Sequence, residues 1–430
     1  MSAASTRRIE PVGHPLHAVL DSIPGSKSIA NRALVCAALA DGRSMLRNVP
    51  SGDDTVAMVR CIAALGAGTS DAGSGVVAVD GTGGSLRPGP MLLHAGLAGT
   101  TSRFVTALAA LGPGPYTVDG RAPLQARPMG PLHDALVALG ARLTATDNPG
   151  RLPVTIGGGA LRGGRISLPG DVSSQFVTAL MLIGPYLDDG LDIALTTALV
   201  SRPYVEITAA VMGEFGATGV ETGPDRIIVP PGRYRGAELT IEPDASSASY
   251  VFGAAAICGG DVTVTGLGAG SMQGDAAFAD LLSAMGCEVE RSATTTSVRS
   301  TGRLSGIDVD MADISDTVPT LAVVAPFASS PTRITGVGFI RRKESDRIGD
   351  VVRELRRCGV RAREEPDGMT IEPSAPVAAH VRTYDDHRLA MAFALVGLRV
   401  PGIEIEDPDV VAKSWPGFWD VLRGLQHPSG

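Results

Sequence analysis

A scarce residue type says most about this chain. Lys and Arg total 37, yet only Lys27, Lys343 and Lys413 are lysines. Surface positions accept either cation, so a lysine that survives such a bias marks a place where an ammonium is wanted. It is compact, well hydrated and able to release a proton that guanidinium keeps. Chance survival is the competing explanation, but each lysine lies among other polar groups. PGSKSIANR, residues 24–32, sets Lys27, Ser28 and Arg32 around a helix start, where cations and free N–H groups suit phosphate or carboxylate. Ser28 is expected to cap that helix and donate to the same anion. The nucleotide-loop alternative requires GxxxxGK followed by Ser or Thr, which is absent.

Five further segments have the same character. VSSQF offers Ser173, Ser174 and Gln175 at another helix start, and QARPMGPL puts Arg127 just before a Pro-led helix. RRKESDR gathers Lys343, Glu344 and Arg347, either as a solvated helix face or as a mixed-charge site. In YDDHR, His387 and Arg388 open an apolar segment, and VVAKSWP sets Lys413 beside an aromatic.

The elements that must position these groups repeat. A short strand, a polar turn and an apolar helix recur six times, from Ile23, His94, Ser167, Thr240, Asp310 and Arg382. In the first five copies a second helix then ends near Gly66, Gly140, Gly216, Gly286 and Gly359, spaced 74, 76, 70 and 73 residues apart. The sixth copy stops with its second helix near Leu422. The polar residues collect at the turn into each first helix, including Thr100, Ser246, Ser247, Asp316 and His387. Ser, Thr or Asp there serves as an ordinary N-cap or, beside Lys or Arg, as part of an anion site; Ser246 and Ser247 alone read as caps. Six α/β copies imply an α/β (α+β) fold with three copies per domain. The expected domains are 1–24 with 244–430, and 25–243, the chain crossing near Pro24-Gly25 and Pro243-Asp244.

Composition narrows the class. With 44% hydrophobic and 19% charged residues the chain is globular, and 430 residues exceed one ordinary core. A net charge of −8 argues against nonspecific nucleic-acid binding. No apolar run approaches the roughly 20 residues of a membrane span, and the N-terminus lacks a signal core, so a cytoplasmic protein is expected. Cys36, Cys61, Cys258, Cys287 and Cys358 are scattered singly, without disulfide or zinc spacing. No metal and no cofactor are implied.

The motifs PGSKS, NRAL, SSQF, SSASY, KESDR, DHRLAM and AKSWP, in this order over nearly the whole chain, resemble the enolpyruvyl transferases, on the branch that accepts shikimate 3-phosphate. The resemblance implies two domains of three βαβαββ units each, with the site in the cleft between them. It implies small-molecule substrates, phosphoenolpyruvate and shikimate 3-phosphate, and a monomer. By that resemblance Lys27, Ser28, Arg32, Ser173, Ser174, Gln175, Ser201, Asp316 and Lys343 contact the acceptor. Lys27, Gly99, Arg127, Gln175, Arg347, Arg388 and Lys413 hold phosphoenolpyruvate. Asp316 and Glu344 transfer protons with Lys27 and Lys413, while Asp54 and His387 support them.

Two positions depart from the family pattern: Leu97 and Phe339 stand where Asn is frequent. Phe339 takes away an amide expected near the acceptor ring. Three alternatives remain at this point: a UDP-sugar acceptor, another cyclic acceptor, or a noncatalytic anion-binding relative. The first expects a cysteine before the Arg-Pro motif, and DGRAPLQARP has none. Intact Lys27, Asp316, Glu344 and Lys413 oppose the last.

Overall fold

A computed structural model describes residues 5–71, 75–145 and 148–427. The chain divides into two units, Met1–Pro24 with Pro243–Gly430, and Gly25–Glu242. Pro243 groups with the first unit.

In the unit Gly25–Glu242 the helices are Lys27–Leu39 (α1), Asp53–Ala64 (α2), Gly99–Ala110 (α3), Ala122–Gln125 (α4), Gly130–Ala138 (α5), Ser174–Ile183 (α6) and Pro203–Glu214 (α7). The other unit contains Ala245–Cys258 (α8), Phe278–Ala284 (α9), Val318–Val324 (α10), Gly349–Arg357 (α11), His387–Gly397 (α12) and Phe418–Gln426 (α13). The first helix of each copy is rich in Ala, Leu and Val on every side, as a helix without a solvent face must be. Accordingly α1, α3 and α6 are buried together in one unit, and α8, α10 and α12 in the other. Each unit has its own apolar core. All five cysteines are buried in those cores.

The spaced glycines end the second helices in one repeated way. Gly66, Gly140, Gly216, Gly286 and Gly359 have φ between 77° and 115°. The next residue's N–H reaches back to the last turn, Ala67 to the Ile62 carbonyl and likewise Ala141 to Leu136, Ala217 to Met212, Cys287 to Leu282 and Val360 to Leu355. This is the left-handed C-terminal cap that only glycine adopts without strain.

Sheet topology shows how the copies are assembled. Met91–His94 pairs in parallel with Tyr116–Asp119 across α3, and the hairpin Leu143–Ala145/Val154–Ile156 follows α5, a complete βαβαββ unit. The copies starting at Gly164–Leu168 and Asp308–Asp310 are built alike. At the two crossings the first strands are exchanged. Leu16–Leu20 precedes α1 in the chain but pairs with Gly260–Thr265, after α8. Glu238–Thr240 precedes α8 but pairs with Arg43–Arg47, after α1. The sixth sheet lacks a following hairpin and takes Thr6–Arg8 as its antiparallel strand against Ile403–Glu406. At the start of α1, a side chain on Gly25 would strike the Asn48 carbonyl, so that turn requires glycine. Among the described residues no helix is long and apolar enough to cross a membrane.

Candidate active site

Each unit carries one set of candidate residues at the starts of its buried helices. In Gly25–Glu242, Lys27 opens α1 and its Nζ lies 3.1 Å from Asp54 Oδ2 in the first turn of α2. The expected cap is different: Ser26 holds the N-cap position without a side-chain bond, and Ser28 lies inside the first turn. Instead the Ser28 carbonyl accepts from Arg32 Nη1 at 2.6 Å. Arg32 is buried, and its guanidinium also donates to Thr208 Oγ1 at 2.8 Å, the Tyr204 carbonyl at 3.0 Å and Thr178 Oγ1 at 3.4 Å. It therefore ties α1 to α6 and α7. Burial brings its pKa down to about 10, against the pull of Tyr204.

A second group surrounds Gly99. A Cβ there would come within 2.5 Å of Arg127 Nη1 and 2.9 Å of Arg103 Nη1, so the missing side chain lets two guanidinium groups approach the helix start. Arg103 donates to Gln175 Oε1 at 2.6 Å, and Gln175 Nε2 donates to Thr100 Oγ1 at 3.2 Å. Ser173 caps α6, its hydroxyl accepting from the Gln175 N–H, with Ser174 buried beside it. Ser201, also buried, holds φ 53° just before α7. A left-handed non-glycine residue costs on the order of 1 kcal/mol and is found mostly where function or packing fixes it.

The other unit holds an interlocked charge lattice. Arg347 is buried rather than on a solvated helix face. Its Nη1 meets Asp316 Oδ1 at 2.9 Å, its Nη2 meets Glu344 Oε2 at 2.7 Å, and its Nε meets Asp386 Oδ2 at 2.8 Å. Arg388 Nη2 takes the second Asp316 oxygen at 2.6 Å, and Lys413 Nζ lies 3.8 Å from Glu344 Oε1. Asp386 also caps α12 by accepting the Arg388 backbone N–H, and its Oδ1 lies 3.6 Å from His387 Nδ1 in the core. Lys343 stands over the Phe339 ring, 5.8 Å from its centre.

Two neighbouring carboxyls are driven in opposite directions. Burial disfavours the charged form of Asp316, but Arg388, Lys343 and Arg347 outweigh it and hold its pKa far below the carboxylate range. Burial raises Asp275 to about 7, and the charge of Asp316 adds to this, with Ser246 and Arg388 opposing. Burial likewise opposes the charge on Arg347, yet Asp386, Glu344 and Asp316 keep it firmly protonated.

Arg103, Asp275 and Asp386 were missed in the sequence. Asp386 had a signal, since Asp directly before an apolar helix is a cap candidate. Arg103 lies one helical turn beyond Gly99, a weaker sign. Nothing local marks Asp275, whose burial is a tertiary fact. The reading of Ser246 and Ser247 as caps is also corrected. Asp244 caps α8 by accepting the Ser247 N–H at 2.7 Å, leaving the Ser246 hydroxyl to bond Asp275.

The relatives agree along the whole length. The family model for EPSP synthase (3-phosphoshikimate 1-carboxyvinyltransferase) matches residues 12–422. A 3-phosphoshikimate 1-carboxyvinyltransferase from Nostoc sp. is 44% identical over 416 residues, 96% of this chain and 98% of its own. One from Methanoculleus marisnigri is 44% identical over 403 residues, 93% of this chain and 95% of its own. The solved EPSP synthase of Acinetobacter baumannii has a TM-score of 0.83 at 25% identity, covering 97% of both chains. With two units of repeated α/β copies, and matched from residue 12 to residue 422, the chain belongs to the EPSP synthase family of enzymes.

Proposed function

We propose that the chain transfers the enolpyruvyl group of phosphoenolpyruvate to shikimate 3-phosphate and releases phosphate. In the addition step the acceptor oxygen bonds to C2 of phosphoenolpyruvate, its proton passes to a base, and another proton reaches C3. In the elimination step C3 loses a proton, the C2–O bond to phosphate breaks and the double bond re-forms. Both steps need groups that accept and return protons while fixed cations offset the substrates' charge.

The bridging of Asp316 between Arg347 and Arg388 carries this reading. Without substrate those guanidinium groups keep Asp316 ionised. An anion that engages them weakens their hold on Asp316 and raises its proton affinity, so substrate binding itself makes it a better base for the acceptor hydroxyl. Glu344, between Arg347 and Lys413, would exchange the C3 proton, with Lys27 and Lys413 supplying one ammonium group from each set. Arg127, Arg347, Arg388 and Lys413, with the Gly99 backbone, would hold phosphoenolpyruvate. Lys27, Ser28, Ser173, Ser174, Gln175 and Ser201 would hold the acceptor phosphate, Lys343 its ring hydroxyls. Arg32 would act by fixing α1 against α6 and α7, and His387 by supporting Asp386. We take the enzyme to act as a monomer in the cytoplasm.

Phosphate release tests the proposal, with phosphoenolpyruvate and either shikimate 3-phosphate or UDP-N-acetylglucosamine. Release with the first acceptor alone is expected. Release with only the second, or with neither, overturns it.

A further inference from the structure

The turn that delivers Asp386, His387 and Arg388 is an unusual one. Thr383 accepts the Asp386 N–H at 2.8 Å, and the two residues between them, Tyr384 and Asp385, have φ 53° and 57°. Left-handed φ at both central positions is the arrangement of a type I′ turn, normally filled by Gly, Asn or Asp. Tyrosine is poorly suited to it, so something beyond local preference must hold the chain there.

Glu354 on α11 is fully buried. Its Oε1 accepts the Tyr384 hydroxyl at 2.6 Å and its Oε2 accepts the Arg382 N–H at 3.0 Å, with Arg357 Nε 3.5 Å away. One carboxylate thus grips both the entry of the turn and its first left-handed residue. Buried carboxylates cost free energy unless hydrogen-bonded and paired, and this one is both. The turn in turn sets Asp386, which binds Arg347 through both oxygens, and Arg388, which binds Asp316.

We propose that Glu354 is a positioning residue for the charge lattice, holding the left-handed turn so that Arg347 and Arg388 keep the geometry that receives phosphoenolpyruvate. The inference rests on the function proposed above. Its effect falls mainly on phosphoenolpyruvate, because the acceptor phosphate is assigned to residues of the other unit and only its hydroxyls to Asp316 and Lys343.

The test is Glu354→Gln in the full chain, which keeps the shape but loses the charge. Hydrogen bonds to a charged group are worth enough that losing one weakens binding by about tenfold. The KM for phosphoenolpyruvate should rise by about that factor, kcat should fall by less, and the KM for shikimate 3-phosphate should hardly change. Tyr384→Phe, which removes one hydroxyl, should move the same constant by about threefold, and it carries the test if Glu354→Gln does not fold. A phosphoenolpyruvate KM unchanged in a folded variant, or both KM values rising together, overturns the positioning role. A wild type without turnover sinks the function instead. The turn is then read by hydrogen exchange over residues 382–388: faster exchange in Glu354→Gln supports the role and equal exchange overturns it.

Discussion

The two candidate sets use similar cations with different partners. In the unit containing α8–α13, Arg347, Arg388 and Lys413 each meet a carboxylate, and Asp316 and Glu344 are each shared between two cations. In Gly25–Glu242, Arg103 meets an amide and Arg32 meets hydroxyls and carbonyls, with Lys27 beside Asp54. A cation neutralised by a carboxylate can release it when another anion arrives, altering the affinity of that carboxylate for protons. A cation partnered by neutral oxygens has no carboxylate offsetting its charge and suits holding a phosphate. Under the function proposed above, the difference would give proton traffic mainly to one unit and anchoring mainly to the other.

The most severe test of the two sets takes one lysine from each. Lys27→Arg and Lys413→Arg keep the charge but change shape, acidity and reach. Turnover should fall on the order of a hundredfold in each, measured as phosphate release at saturating substrates. Near-normal turnover in both would mean that neither set needs an ammonium.

A smaller effect separates two carboxyls within the lattice unit. Asp275 has a folded pKa of about 7, above its unfolded value of roughly 4. Its contribution to stability is therefore full below about pH 4 and lost as pH rises through about 7. Asp275→Asn should gain stability relative to wild type between about pH 4 and pH 7, by on the order of 1 kcal/mol per unit, and no further above that, read from urea midpoints. Asp316 behaves oppositely: its contribution is present above about pH 4 and is lost only in strong acid. Parallel curves for wild type and Asp275→Asn would show that the two carboxyls do not diverge.

The smallest expected change concerns Phe339. Its ring supports Lys343, and such a contact is worth about 0.5–1 kcal/mol where solvent reaches it. Phe339→Asn exchanges that contact for an amide able to hydrogen-bond the acceptor. The KM for shikimate 3-phosphate should shift by at most about tenfold with little change in kcat. A large loss of kcat would assign Phe339 a role in the chemistry itself.

Much of this was legible in the chain, and the reason lies in how local each feature is. Helix starts, apolar helices and left-handed glycines depend on a few neighbouring residues, so Lys27, Ser173 and Gly66 could be placed without a structure. Partners could not. Arg347 meets Asp386 across 39 positions and Arg103 meets Gln175 across 72, and no periodicity encodes such pairings. Ser28 and Ser246 do not cap their helices, because a hydroxyl at a helix start can accept from a backbone N–H or donate elsewhere, and neighbouring elements choose between them.

The sequence by itself determined six copies of one unit, their turn residues and the family they resemble. Tertiary structure alone decided which strand completes which sheet. Leu16–Leu20 and Glu238–Thr240 stand in equivalent places before α1 and α8, yet each pairs beyond the other's helix. A strand's own residues state that it is extended and which face is apolar. They do not name its neighbour, because backbone hydrogen bonds are the same for every partner.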